Sequence, residues 1–163
     1  MAVYQSFTGV ITIIDNLRMG NGEKIGCNQL MSVENHEGRV INFVVQPSTY
    51  FVDQVLIRVG DMVTEFYDAS APTPYIFPPQ LQAIVMAKAG GRNPNVKVDR
   101  FNRALVSSDG MLKLNISPVT LSILENGQLF GGDPAGRDLI VVYGPTTRSI
   151  PAQTTPFKMI VMC

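Results

Sequence analysis

The residues able to do chemistry are few and poorly grouped. The chain has one histidine, His36, in the turn "ENHEG" with Glu34 and Glu37 close by. A general base needs a pocket and a partner within hydrogen-bond reach. A hairpin tip offers neither, so His36 reads as a surface residue. Asp61, Glu65 and Asp68 alternate too irregularly to cage a hard cation that needs six or more oxygens. "MGNGEKIG" and "FGGDPAG" have neither the glycine spacing nor the following helix of a phosphate loop. The two cysteines, Cys27 and Cys163, form no C-x-x-C pair and read as reduced thiols. With no Ser-His-Asp or Cys-His arrangement, no catalytic residue, metal site or cofactor is expected, and the chain reads as a non-enzyme.

One loop stands apart. "YDASAPTPYIFPPQ", Tyr67 to Gln80, holds Pro72, Pro74, Pro78 and Pro79 and mounts Tyr75 and Phe77 between them. Prolines fix φ and lower the entropy lost on ordering a loop. Two roles are open to it. The rings could form a binding rim, or they could pack as a lid. Packing is the expectation, with at least one ring against protein, because a buried aromatic gains about 1.5–3 kcal/mol.

The elements that position this loop read as strands. "SFTGVITIID" (Ser6 to Asp15), "CNQLMSVEN" (Cys27 to Asn35), "RVINFVVQ" (Arg39 to Gln46), "DMVTEFYD" (Asp61 to Asp68) and "LQAIVMAKA" (Leu81 to Ala89) are rich in β-branched and aromatic residues. "STYFVDQVLI", Ser48 to Ile57, reads either as a helix or as a short strand and turn. Features then recur. Leu30, Ser32, Gly38, Pro47 and Thr49 match Leu105, Ser107, Gly110, Pro118 and Thr120. Gly60 to Met86 aligns without gaps to Gly136 to Met162, 76 residues on. This pattern predicts an internal duplication. Alternation in "LKLNIS" then places Ile41, Phe43 and Val45 in the first core.

Each half reads as five strands broken between the third and fourth. "VQPSTYFV…VGDMVTEFYD" and "ISPVTLSI…AGRDLIVVYG" resemble the V-x-P-x-T…L-x-x-G-D-x-V-x-V-x-Y pattern of small bacterial OB-like domains. Arg137 departs from it where the first half has Asp61. The resemblance implies an all-β chain of two similar five-stranded OB-like barrels, residues 1–88 and 96–163, joined by a linker at 89–95. It also implies ligand binding through the loops joining strands one to two and four to five. Those loops carry Arg18 and Lys24, Tyr75 and Phe77, and, in the second half, Arg148.

Composition bounds the function. The 163 residues are 45% hydrophobic but only 16% charged, with zero net charge; globular proteins average about 25% charged residues. With so little charge, either loops carry much of the surface as Ser, Thr, Asn, Gln and Pro, or some of the surface is buried against another subunit. The last strands carry Ile84 and Met86, matched by Ile160 and Met162, on the face opposite the expected core. These four are expected at a contact between halves or subunits. The leading reading is a non-catalytic binding or assembly module for a protein, peptide or glycan, self-associating as a homo-oligomer. A second reading is single-stranded nucleic-acid binding, using Phe7, Phe43, Phe66, Tyr67 and Tyr143 as stacking platforms, but no basic stripe accompanies them. A third is an enzyme whose site forms between subunits. No apolar run reaches the ~18 residues of a membrane helix and no signal peptide is visible, so the expected location is cytoplasmic.

Overall fold

The computed structural model describes residues 1–17, 25–90 and 95–163. They form two compact units, Met1–Ala89 and Gly90–Cys163, and all regular structure is β apart from one short 3-10 turn.

The first unit contains β1 (Tyr4–Asn16), β2 (Gln29–Glu34), β3 (Val40–Val45), β4 (Tyr50–Phe51), a 3-10 turn at Val52–Gln54, β5 (Met62–Asp68), β6 (Gln80–Gln82) and β7 (Val85–Lys88). They build one sheet in the order β4-β7-β5-β1-β2-β3-β6. β1 is long enough to serve two neighbours. Its first half pairs with β5 and its second with β2, across a register shift between Ile11 and Ile13. Gly9 stands beside this change of partner, where a Cβ would overlap the Glu34 carbonyl. The β5-β1-β2-β3 spine is antiparallel, while β6 and β7 add parallel to β3 and β4. Alternation turns Ile41, Phe43 and Val45 inward, where they pack with Phe7, Ile11 and Met86.

The second unit contains β8 (Asn95–Phe101), β9 (Leu112–Leu114), β10 (Leu121–Leu124), β11 (Arg137–Tyr143), β12 (Ala152–Thr154) and β13 (Lys158–Val161). It holds a four-stranded sheet, β10-β13-β11-β8, and a separate parallel pair, β12-β9. Phe101, Leu112, Leu114, Leu139, Val141, Met159 and Val161 form its core.

The expectation of two five-stranded OB-like barrels from an internal duplication is therefore corrected. The strands take a solenoid-like, stacked-coil course of about three turns with mixed sheets, not closed barrels. Two features hide this in the sequence. β4 is only two residues long, and the expected last strand breaks at Ala83–Ile84 into β6 and β7, which add to different strands. Ser48 to Ile57 contains β4 and the 3-10 turn rather than a longer helix.

What recurs is a local hydrogen-bonding scheme. The Thr49 hydroxyl accepts from Gln46 N–H (3.1 Å) and donates to the Ala83 carbonyl (2.8 Å). The Thr120 hydroxyl does the same between Ser117 (3.2 Å) and Pro156 (2.8 Å). The threonine of P-x-T thus ties the connector to the segment before the last strand. Next, Tyr50 N–H donates to Ile84 O and Ile84 N–H to Phe66 O; Leu121 N–H donates to Phe157 O and Phe157 N–H to Val142 O. The counterpart of Ile84 by bonding is therefore Phe157, not Ile160, and the gapless alignment fails in the final strand.

Candidate binding groove

β6 is bonded in the sheet only to β3. After Ile84 N–H reaches Phe66 O (2.9 Å), β5 and β6 part. The cause lies at the end of β5. Asp68 Oδ1 accepts from Val3 N–H (2.9 Å), Ser70 N–H (2.9 Å) and the Ser70 hydroxyl (2.6 Å). Ala69 N–H also donates to Val3 O (2.7 Å). These bonds tie the chain to the N-terminal segment as it leaves β5, and it returns only at Gln80.

The gap left behind is a cavity of about 410 Å³. Tyr67, Asp68 and Ala71 to Pro74 line one wall; Gln80, Leu81, Gln82 and Ile84 line the other, with Val44 of β3. This volume falls within the range of small-ligand and peptide pockets. Pro72 and Pro74 have no N–H, so neither can donate a rung across to β6. Pro79 O and Ala83 N–H both bond to β3. By strand alternation, Gln80 and Gln82 turn their main-chain groups the other way, toward the open edge. The hydrogen bonds from Ser70 and Val3 hold the Asp68 carboxyl below its ordinary value, so this wall carries a negative charge. The Tyr67 ring packs on Phe43 (6.1 Å between centroids) and its hydroxyl donates to Gln5 Oε1 (3.3 Å).

Tyr75 and Phe77 stand on the segment joining the two walls. Both are essentially fully exposed, Phe77 at 94%. The expectation that one of them packs as a lid is corrected. The prolines hold the loop and the rings are left to solvent.

The corresponding place in the second unit is closed. There the loop Gly144 to Pro151 binds the outer edge of β12. Thr147 N–H donates to Gln153 O (2.9 Å), and Gln153 N–H donates to Thr147 Oγ1 (2.9 Å). The Thr154 hydroxyl donates to Pro145 O (2.9 Å), and Thr147, Ser149 and Pro151 O form a further chain.

Other expected residues are dispersed. Arg18 and Lys24 lie outside the described residues. Arg148 is exposed on the closed loop. Met86 belongs to the first unit's own core, so it needs no partner to cover it, and Ile160 is fully buried. Ile84 is half-buried and lines the groove; Met162 is half-buried. Phe7, Phe43 and Phe66 are buried, which removes three of the five aromatics a stacking face needs. His36 is exposed at its turn, 3.6 Å from Glu37. Among the described residues no group of three or more His, Cys, Asp or Glu could hold a metal, and no helix is long and apolar enough to cross a membrane.

Sequence reasoning weighs Glu65 only as a metal ligand and misses its burial. It is fully buried on the core face of β5, opposite Phe7 on β1 and Met86 on β7, and neither carboxylate oxygen has a hydrogen-bond partner. Burial pushes its pKa up to about 8. The signal is there to be read: in the gapless alignment Glu65 falls opposite Val141, a core residue.

Comparison of the chain with protein-family models, with curated proteins and with solved structures gives no match.

Proposed function

We propose that the chain is a non-catalytic binding module whose first unit takes a peptide partner in the groove between the proline loop and β6. The observation that carries this reading is the exposure of Tyr75 and Phe77 on the segment that joins the two walls of a cleft of ligand size. Exposed aromatics on a stiffened loop lose little entropy on binding, and such residues dominate the energetics of interfaces. An edge strand along the other wall supplies main-chain donors and acceptors, which extended peptides use.

The test is panning a random heptapeptide phage library on the immobilised whole chain. Enrichment of peptides that bind the native chain but not a Tyr75→Ser/Phe77→Ser variant is expected. Failure to enrich, or enrichment indifferent to both substitutions, overturns the reading.

A further inference from the structure

Resting on that reading, we infer that the groove takes an extended peptide carrying a serine or threonine, which engages the Gln80 main chain as Thr147 engages Gln153. The second unit displays the complex within its own chain. Gln153 sits in β12 opposite Lys113 of β9, and Gln80 sits in β6 opposite Asn42 of β3; both pairs are parallel, β12 in a two-stranded ladder and β6 at the edge of the seven-stranded sheet. Each comes two residues after a proline, Pro151 and Pro78. In β12 the flanking residues bond to β9, through Ala152 N–H to Met111 O and Asn115 N–H to Thr154 O. Gln153 alone faces outward, and one residue satisfies both of its main-chain groups. Thr147 gives its N–H to the Gln153 carbonyl and its hydroxyl oxygen to the Gln153 N–H.

In the first unit no such residue is supplied by the loop. The stretch that would provide it, Ala69 to Ala71, is committed elsewhere: Ala69 N–H to Val3 O, Ser70 N–H to Asp68 Oδ1 and Ala71 N–H to Asp68 O. The place that Pro145 to Thr147 fill at β12 is, at β6, the open groove. A main-chain edge buried by a ligand must have its polar groups bonded. A residue with an N–H and a short side-chain hydroxyl meets both needs of Gln80 at once. A valine of the same shape supplies the N–H and leaves the Gln80 N–H without an acceptor. The occupant is therefore a peptide of the partner with Ser or Thr at the position opposite Gln80. A proline two residues before it, as Pro145 precedes Thr147, favours the extended course.

The experiment uses the full chain and a fluorescent peptide, acetyl-Gly-Pro-Thr-Thr-Arg-amide, which copies residues 144–148. Anisotropy should show saturable binding, lost in the Tyr75→Ser/Phe77→Ser variant. Changing the second threonine of the peptide to valine should weaken binding about tenfold, the scale of one buried unsatisfied N–H. Hydrogen exchange at the Gln80 amide should slow on adding the threonine peptide and not the valine one. Equal binding of the two peptides overturns the inference and leaves the groove reading standing. So does a panned set of groove-binding peptides without Ser or Thr while this peptide fails. If neither this peptide nor any panned peptide binds, both readings fall.

Discussion

The two proline-bearing loops occupy the same place in their units and end differently. The second closes on β12 through Thr147 and Thr154; the first leaves β6 open. The difference arises where each loop leaves its strand. β5 ends at Asp68, whose carboxylate gathers Val3 and Ser70 and ties the chain to the N-terminal segment. β11 gives way to Gly144, which has no side chain to do so, and the loop continues along β12. At the point where the loops diverge, the two units differ in one side chain: Asp68 engages the N-terminal segment, and Gly144 has nothing to engage.

The same comparison extends into the cores, where the largest effect is expected. The first unit buries Glu65 where the second buries Val141. The Glu65 carboxyl is raised from 4.5 to about 8 by burial. The folded state therefore binds a proton that the unfolded state releases. Below pH 4.5 Glu65 is neutral in both states and adds no pH dependence, although its unpartnered oxygens still cost desolvation. Between pH 4.5 and 8 stability falls by about 1.4 kcal/mol per pH unit, a loss of about 5 kcal/mol once both states are ionised. Glu65→Gln and Glu65→Val should flatten this dependence and raise the denaturant midpoint at pH 8. Urea titrations of the native chain at pH 5, 7 and 9 check it. A midpoint that does not drop with pH in the native chain would show that the carboxyl is solvated or paired.

A smaller effect is expected at the residue that separates the loops. Asp68→Ala removes three hydrogen bonds to an ionised acceptor and should cost about 1–3 kcal/mol. It should also free the wall of the groove, seen as faster hydrogen exchange at Val3, Ala69 and Ser70. Because the Asp68 carboxyl is held below its ordinary value, its contribution is present at neutral pH and fades as acid protonates it. Unchanged exchange at those amides would assign the loop's course to the prolines instead.

Alternation carries the part of the fold that is legible in the sequence. Ile41, Phe43 and Val45 are on the core face, and the P-x-T segments mark real clamps. The last strand resists the same reading because its bend at Ala83–Ile84 breaks the alternation: Ala83 and Met86 both reach the core. An alignment without gaps cannot register that bend, so it pairs Ile84 with Ile160 rather than with Phe157. The number of strands is misjudged because β4 and β6, at two and three residues, are too short to leave a pattern. The groove is illegible because it depends on where the Asp68 carboxylate places its hydrogen bonds, which composition does not disclose. Tyr75 and Phe77 stand out in the sequence for the right reason, but ring size argues for burial, whereas the loop leaves them nothing to pack on.

The smallest effect on stability is expected where the residues are largest. Removing a buried phenylalanine from a core costs about 3–5 kcal/mol, because transfer and cavity terms add. Tyr75 and Phe77 are fully exposed, so neither term applies, and surface changes of this kind stay within about 0.5 kcal/mol. Tyr75→Ser/Phe77→Ser should therefore melt with the native chain. In the second unit, Ile150 stands at the matching point before Pro151 and is also exposed, at 81%. Ile150→Ser should be equally silent in melting, and it should leave peptide binding untouched, since its loop already occupies the edge it borders. Differential scanning calorimetry of both variants, paired with the anisotropy assay, separates the cases. Equal stability with binding lost only in the Tyr75/Phe77 variant assigns the rings to recognition. A large drop in melting temperature in that variant would return them to the packing role and leave the groove without its rim.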